Sequence, residues 1–427
     1  MKKLLIIIAL LSVIILVSPK FIGSVVETEY QLALNKLNDN PAITVKSTTF
    51  SRNWFSGKVV TEMTILLEHE DVEILNLVIE DSLLYGPLIF TNDGLKLALS
   101  YSHSSINFTD LYIEEEIENF IKNKIHLSTL LTFSKDIVTQ VTIDEVSKQI
   151  DGNKILSSKA VGKFTLENEN RLYGEFNWAG LSATTAEESF TIEGVTLSVD
   201  QMLIDGSYFQ GNAISMGSLD FLISAIKASD ASATETLSLN NLLINASSSV
   251  KDDLMELKMN YGVDKLEVEG QKLENANLVL TLNGLNIKVL QEVNVLLKKL
   301  SSENEQIFSP TNMKKLSSLT SKLVANNPTL EIENLSVITP EGKIDSSMLV
   351  SIDQKQYDPA NFMSIIGAIN ATAQGEAPID FFVKLGFGPV VEQYINQGFI
   401  KQKDDTISVE LNYAQGQLNI NGNVIPL

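Results

Sequence analysis

Apolar residues run from Leu4 to Val17 with only Ser12 interrupting them, and nowhere else does the pattern stay apolar so long. Lys2 and Lys3 precede the run, the layout of a secretory signal or a signal-anchor. Extended through Val26 the segment reaches the roughly twenty residues of a full span, with Lys20 able to snorkel to the interface. No A-x-A-like pair of small residues follows it, because Leu16/Ser18 and Phe21/Gly23 each put a large residue where a small one is needed. The pattern therefore predicts an uncleaved signal-anchor over residues 1–26. The positive-inside rule keeps its N-terminus in the cytoplasm and sends the body to the far side.

Downstream the periods change. Tyr30, Ala33, Leu34 and Leu37 share one face of a helix that Asn38 to Pro41 should stop. Residues 43–50 and 58–67 alternate as strands, as does Ile74 to Tyr101, broken by turns at Gly86-Pro87 and Asn92-Asp93-Gly94. Thr109-Asp110 would cap a helix with Glu114, Glu115 and Glu116 in its first turn, where the dipole favours carboxylates. From 160 to 285 strands repeat a motif in which the alternation slips by one residue at Gly180, Gly194, Ser218 or Asn241, and again at Asn334. A β-bulge makes such a slip, and Gly or Asn suits it. Successive copies start 14, 24, 23 and 93 residues apart, too irregular for a solenoid.

Val289, Val293, Leu296, Leu297 and Leu300 mark an amphipathic helix, and Ser309-Pro310 opens a second carrying Met313, Leu316, Leu319 and Leu323; the pair should pack on the sheet. Asp358-Pro359 should open a third, with Phe362, Ile365, Ile366 and Ile369, and a fourth should run from Pro389 to Gln397 with Gly398 as its C′ residue. A hairpin turning at Gln415-Gly416, with a further turn or bulge at Asn421-Gly422, ends the chain. The expected fold is α+β, mainly β: extended, bulged antiparallel sheet covered by several amphipathic helices, plus one N-terminal membrane helix. The expected regions are 1–26, the anchor; 27–160, a membrane-proximal α+β region; 161–286, repeated strands; and 287–427, a helical cover with the terminal hairpin.

Composition narrows the partners. The formal charge is −21, and arginine occurs only at Arg52 and Arg171. Phosphate binding needs clustered positive charge, so nucleic acid is excluded as a partner. The chain has no cysteine, hence no disulfide and no thiolate metal site. Its three histidines, His69, His103 and His126, have no zinc-site spacing, and no nucleophile elbow, P-loop or dinucleotide fingerprint is present. No cofactor or metal is expected. Arg52 beside Trp54 and Phe55, close to the anchor, reads either as a clamp for a lipid head group or partner, or as core packing with Arg on Trp.

Several landmarks occur in an order that resembles the YdgA-like family of Gram-negative inner-membrane proteins. Phe50-Ser-Arg52-Asn53-Trp54-Phe55-Ser56 matches its Tyr-x-Arg-Gly-Trp-Phe-Ser-like motif, with Asn53 for glycine. Tyr85-Gly86-Pro87-Leu88 matches its His-Gly-Pro-Leu-like motif, with Tyr85 for histidine, which points to a structural role here. The segments after Pro328, at 397–400 and at 416–422 also resemble it. The resemblance implies a single-pass protein of the bacterial inner membrane with a periplasmic, self-associating body, and no mechanism. Arg52, Trp54, Phe55, Tyr85, Gly86 and Pro87 are the candidate binding residues. The expected function is non-enzymatic: binding lipid or an envelope partner through an elongated sheet surface. A protein-binding envelope scaffold is the second reading, and a carboxylate-dependent hydrolase the third.

Overall fold

A computed structural model describes residues 2–66, 74–91, 94–109, 124–150, 153–230, 235–268, 270–302 and 310–426. His69 and the Glu114–Glu116 helix lie outside them. The protein is mainly β and antiparallel. It divides into two compact units: residues 1–146, 157–178 and 199–215 form the first, and 147–156, 179–198 and 216–427 the second.

In the first unit α1 (Lys2–Asn38) precedes a meander of β1 (Ile43–Arg52), β2 (Ser56–Leu66) and β3 (Ile74–Tyr85). A small hairpin follows, β4 (Leu88–Thr91) with β5 (Gly94–Leu97), and then β6 (Ser100–Phe108), β7 (Ile125–Leu131) and β8 (Ile137–Ile143). The short β9 (Val146–Ile150) and β10 (Asn153–Ser157), which belong to the second unit but for Val146 and Ser157, precede β11 (Ala160–Glu167) and β12 (Arg171–Thr184), whose first eight residues stay in the first unit. Pairing runs β1–β2–β3–β6–β7–β8–β11–β12, so each strand lies beside its predecessor in the meander. Alternation decides the faces: Gly57, Val59, Thr61 and Met63 of β2 are buried, while Lys58 and Glu62 between them are exposed. Val26 of α1 closes on that buried face with Val59, Leu83 and Tyr85, and Ile22, Tyr30 and Phe50 pack around them. The helix expected over 27–37 is thus the second half of one continuous α1, which ends before Pro41 as expected.

Among the described residues no helix is long and apolar enough to cross a membrane. The side chains of residues 1–14, most of the apolar run, are not among those described.

The second unit holds most of β13 (Glu188–Asp205) and β14 (Ile214–Asp230), followed by β15 (Glu235–Lys251), β16 (Leu254–Val268) and β17 (Gln271–Asn286). Then come α2 (Ile287–Ser302), α3 (Pro310–Val324), β18 (Thr329–Thr339), β19 (Gly342–Ile352) and β20 (Ile369–Pro378). The chain closes with α4 (Ile379–Lys384), α5 (Gly388–Asn396), β21 (Lys401–Lys403), β22 (Thr406–Ala414), β23 (Gln417–Ile420) and β24 (Asn423–Pro426). From β14 to β20, on to β22, β23 and β24, each strand pairs antiparallel with the next. The terminal hairpin and its second turn at Asn421-Gly422 fall where expected.

Two helical expectations change. The buried residues of the α2–α3 seam, Val289, Leu296 and Leu319, pack with Val293, Leu316 and Leu323, so the two helices close on each other. The start of α2 contacts β17, and at the end of α3 Val324 joins Tyr357, Ala368 and Ile352. The helix expected from Asp358 shrinks to a 3-10 turn at Phe362–Ser364 and one α-turn at Ile365–Ala368, because Ile369 pairs with Ile352 and opens β20. The fourth helix is α5, with Gly398 left-handed just beyond it.

The slip in alternation is observed at Gly194 and Asn241 and is shared between neighbours, whereas at Ser218 β14 pairs with β15 without a break. Gly194, Asn241 and Asn275 are left-handed, and Ser224 Oγ donates to the Gly194 carbonyl at 3.2 Å. The ladder skips the 224/241, 241/264 and 264/275 positions in successive pairs, and Asn241 Nδ2 donates to Asp264 Oδ2 at 2.7 Å. A slip in one strand alone would turn its apolar set to the wrong face. Slips aligned across neighbouring strands keep it on one face.

Candidate functional sites: a helix–sheet junction and an apolar sheet face

The junction lies at one end of the first unit's meander. Register brings the 53–55 turn, the 86–99 connection and the 132–136 turn to the same sheet end. α1 passes that end between Gly23, beside Tyr85, and Leu16, beside Trp54. All six sequence candidates gather there. Tyr85 is 2 % exposed, slotted between Gly23 of α1 and Gly57 of β2. A Cβ at Gly57 would stand 2.1 Å from the Tyr85 hydroxyl, and one at Gly23 2.8 Å from its ring. Gly86 is as constrained, since a Cβ would meet the Ala98 carbonyl at 1.7 Å; the Gly86–Pro87 peptide is cis. The Tyr85 hydroxyl has no hydrogen-bond partner among the described residues. Burial pushes its pKa up to about 12; nearby Arg52 opposes that rise and Glu27 adds to it.

Arg52 does not stack on Trp54. Its Nη1 pairs with Glu27 Oε2 at 3.1 Å, and Lys20 takes the place over the indole, 5.1 Å from the ring centroid. Trp54 Nε1 donates to the Leu16 carbonyl at 2.8 Å. That carbonyl lies in the helical turn where Pro19 removes a backbone donor. Deeper in the interface Tyr30 donates to the buried Asp81 carboxylate at 2.6 Å, and Ser104 donates to its other oxygen. Burial first, then the Asp81 charge and hydrogen bond, raise the Tyr30 pKa above the tyrosine range. Lys20 and Asp81 were missed from sequence, because only the fold brings them to these partners. Among the described residues the junction holds packing, ion pairs and a buried hydrogen-bonded carboxylate, and nothing arranged as a nucleophile with a base.

In the second unit, one row of directly paired residues runs Leu219, Ala246, Met259, Leu280, Ile332, Met348, Ala373, Leu411 and Ile420 across nine strands. A parallel row holds Leu257, Leu282, Leu330, Val350, Ala371, Tyr413, Leu418 and Ile425. No residue of the first row is fully buried and none is fully exposed; all nine are partly buried. Helices close the strand ends, α3 through Val324 at one, and α5 through Val391 against Ala377 and Ile407 at the other. The opposite face is polar. Lys258, Thr281, Glu331, Leu349, Thr372, Asn412 and Asn419 pair across it, and an open depression of about 520 Å³ is lined by Glu331, Gln374 and Glu410 together with Ile332, Met348 and Leu411 of the row.

Carboxylates gather on that polar face, which bears on the hydrolase reading. Hydrogen bonds from Lys258 and Thr281 hold Glu333 below the usual carboxylate range, the opposite of what a general acid needs. In the first unit the register stacks His103 on His126, ring centroids 6.0 Å apart, a pairing that sequence spacing concealed. His126 Nε2 lies 2.9 Å from Asp144 Oδ2 and holds that carboxyl low. No group of three or more metal-ligating side chains occurs among the described residues.

A family model described as "Bacterial protein of unknown function (DUF945)" matches residues 1–427. No curated protein and no solved structure matches the chain.

Proposed function

We propose that this chain, which belongs to the DUF945 family of bacterial proteins of unknown function, is a non-enzymatic, membrane-anchored protein that holds the hydrocarbon chain of a lipid along the apolar sheet face of its second unit. The observation that carries this reading is the nine-residue apolar row in which no residue is fully buried. Central strands of a sheet ordinarily bury such a face under a second layer. Eight strand gaps make the row roughly 38 Å long, against about 15 Å for the hydrocarbon of one leaflet. A whole acyl chain fits along it, and each methylene taken from water contributes about 0.8 kcal/mol. From β15 to β20, and at β22 and β23, each strand of the row is paired on both sides, so there the face offers side chains and no free backbone. That favours a hydrocarbon chain over an added strand.

The anchor part of the proposal rests on the Leu4–Val17 run and the two lysines before it, with α1 leading from that run into the body. It puts the N-terminus in the cytoplasm and the body in the periplasm. The motif resemblance to YdgA-like proteins points the same way.

Native mass spectrometry of the full-length protein, extracted in mild detergent, tests the reading. Lipid should accompany the protein stoichiometrically and be enriched over the membrane average. A lipid-free protein that runs as a dimer, or with a protein partner, would overturn it in favour of an envelope scaffold.

A further inference from the structure

The β4–β5 hairpin has a one-sided pattern. Leu88 pairs with Leu97 and Phe90 with Leu95, which puts all four on one face, and Phe90, Leu95 and Leu97 are 78, 58 and 66 % exposed. The other face is the one tied down, through Ile89 at 2 % exposure. A two-stranded hairpin has no core of its own, so an outward apolar face on one is unusual in water. The hairpin is rooted beside the aromatic turn: Tyr85 N donates to the Phe55 carbonyl at 2.9 Å, and Trp54 and Phe55 are themselves about half exposed. Both features stand at the sheet end that α1 passes on its way to the Leu4–Val17 run, where Phe21 is 68 % exposed and Lys20 covers the Trp54 ring. Tryptophan, phenylalanine and lysine side by side and exposed to this degree are the residues of a bilayer's interfacial belt.

We infer that the β4–β5 hairpin and the Trp54-Phe55 turn form a second contact with the membrane, dipping Phe90, Leu95 and Leu97 into the boundary between head groups and acyl chains. This rests on the anchor proposed above. It fixes the stance of the first unit: one anchor alone leaves the body free to swing, whereas an anchor and a hairpin hold it at two points. The net charge of −21 makes zwitterionic lipid the fitting surface.

The absence of cysteine makes an introduced thiol unique. Full-length Phe90→Cys, Leu97→Cys and, as control, Lys403→Cys would each carry an environment-sensitive fluorophore and be reconstituted into phosphatidylcholine vesicles. Positions 90 and 97 should shift to the blue and lose most of their emission to a shallow spin-labelled lipid, while position 403 does neither. If the protein floats with the vesicles yet 90 and 97 behave like 403, the hairpin contact is wrong and the anchor stands. A blue shift without lipid quenching marks a protein contact and overturns it too. Protein that fails to float removes the anchor and this inference together.

Discussion

At Tyr85 the structure spends three glycines on one side chain. Gly57 and Gly23 leave room for its ring and hydroxyl, and Gly86 lets the chain turn against Ala98. Gly57→Ala drives a methyl group into the hydroxyl and should cost about 1–3 kcal/mol in denaturant unfolding. Tyr85→Phe removes a buried hydroxyl that has no partner among the described residues, so it should be neutral or gain up to about 1 kcal/mol. The two variants together distinguish a packing role from a chemical one. Titration gives a further check. The raised Tyr85 pKa means the folded state keeps its proton longer than the unfolded chain does. The fold is unaffected below pH 10, the ordinary tyrosine value, and loses stability as pH rises from there through about 12, because the unfolded chain ionises first. Tyr85→Phe should flatten the alkaline fall in stability over that window. Tyr30→Phe is the contrasting case. It strips a donor from the buried Asp81 carboxylate and should cost about 1.5–3 kcal/mol.

At the scale of elements, the sequence showed the slip in alternation and named Gly194 and Asn241, because Gly and Asn are the side chains that tolerate a left-handed backbone, but it put one slip at Ser218 where the break lies at Ser224. It did not show that the slips line up, since alignment is a property of register between strands. Asn241 tests the point: Asn241→Gly keeps the left-handed conformation at little cost, whereas Asn241→Val should lose about 1–3 kcal/mol. Chemical denaturation of the two variants measures the difference. The same limit explains the helices. Periodicity located α2, α3 and α5 but could not say what each apolar stripe meets; the buried residues of the pair expected on the sheet also pack against each other. Where a weak helical pattern met a strand partner, at Ile369, the sheet prevailed. The candidate site was legible as a set of motif residues close in sequence to the N-terminal apolar run. Its actual contacts, Lys20 on Trp54 and Arg52 with Glu27, depend on α1 lying across the meander.

For the whole molecule the decisive feature is the apolar row, and no window of sequence contains it: Leu219 and Ile420 belong to it through nine strands' worth of pairing. Local alternation says only that each strand has an apolar side; burial along the paired strands says the side is only partly buried. The two accounts of that face predict opposite outcomes for one experiment. If the face is open to a lipid chain, Ile332→Glu or Met259→Glu puts a charge where water can reach it, and stability should stay within about 1 kcal/mol of the parent. Co-purifying lipid should then fall sharply, because a carboxylate in contact with an acyl chain is costly. If the face is instead a closed core, the same charge should destabilise by several kcal/mol. Thr372→Glu, on the polar face, is the control and should alter neither quantity. Thermal unfolding and lipid content measured on the same preparations give both readings at once. An intact fold that keeps its lipid would remove the apolar row as the binding surface, and an unfolded chain would show that the row is core after all.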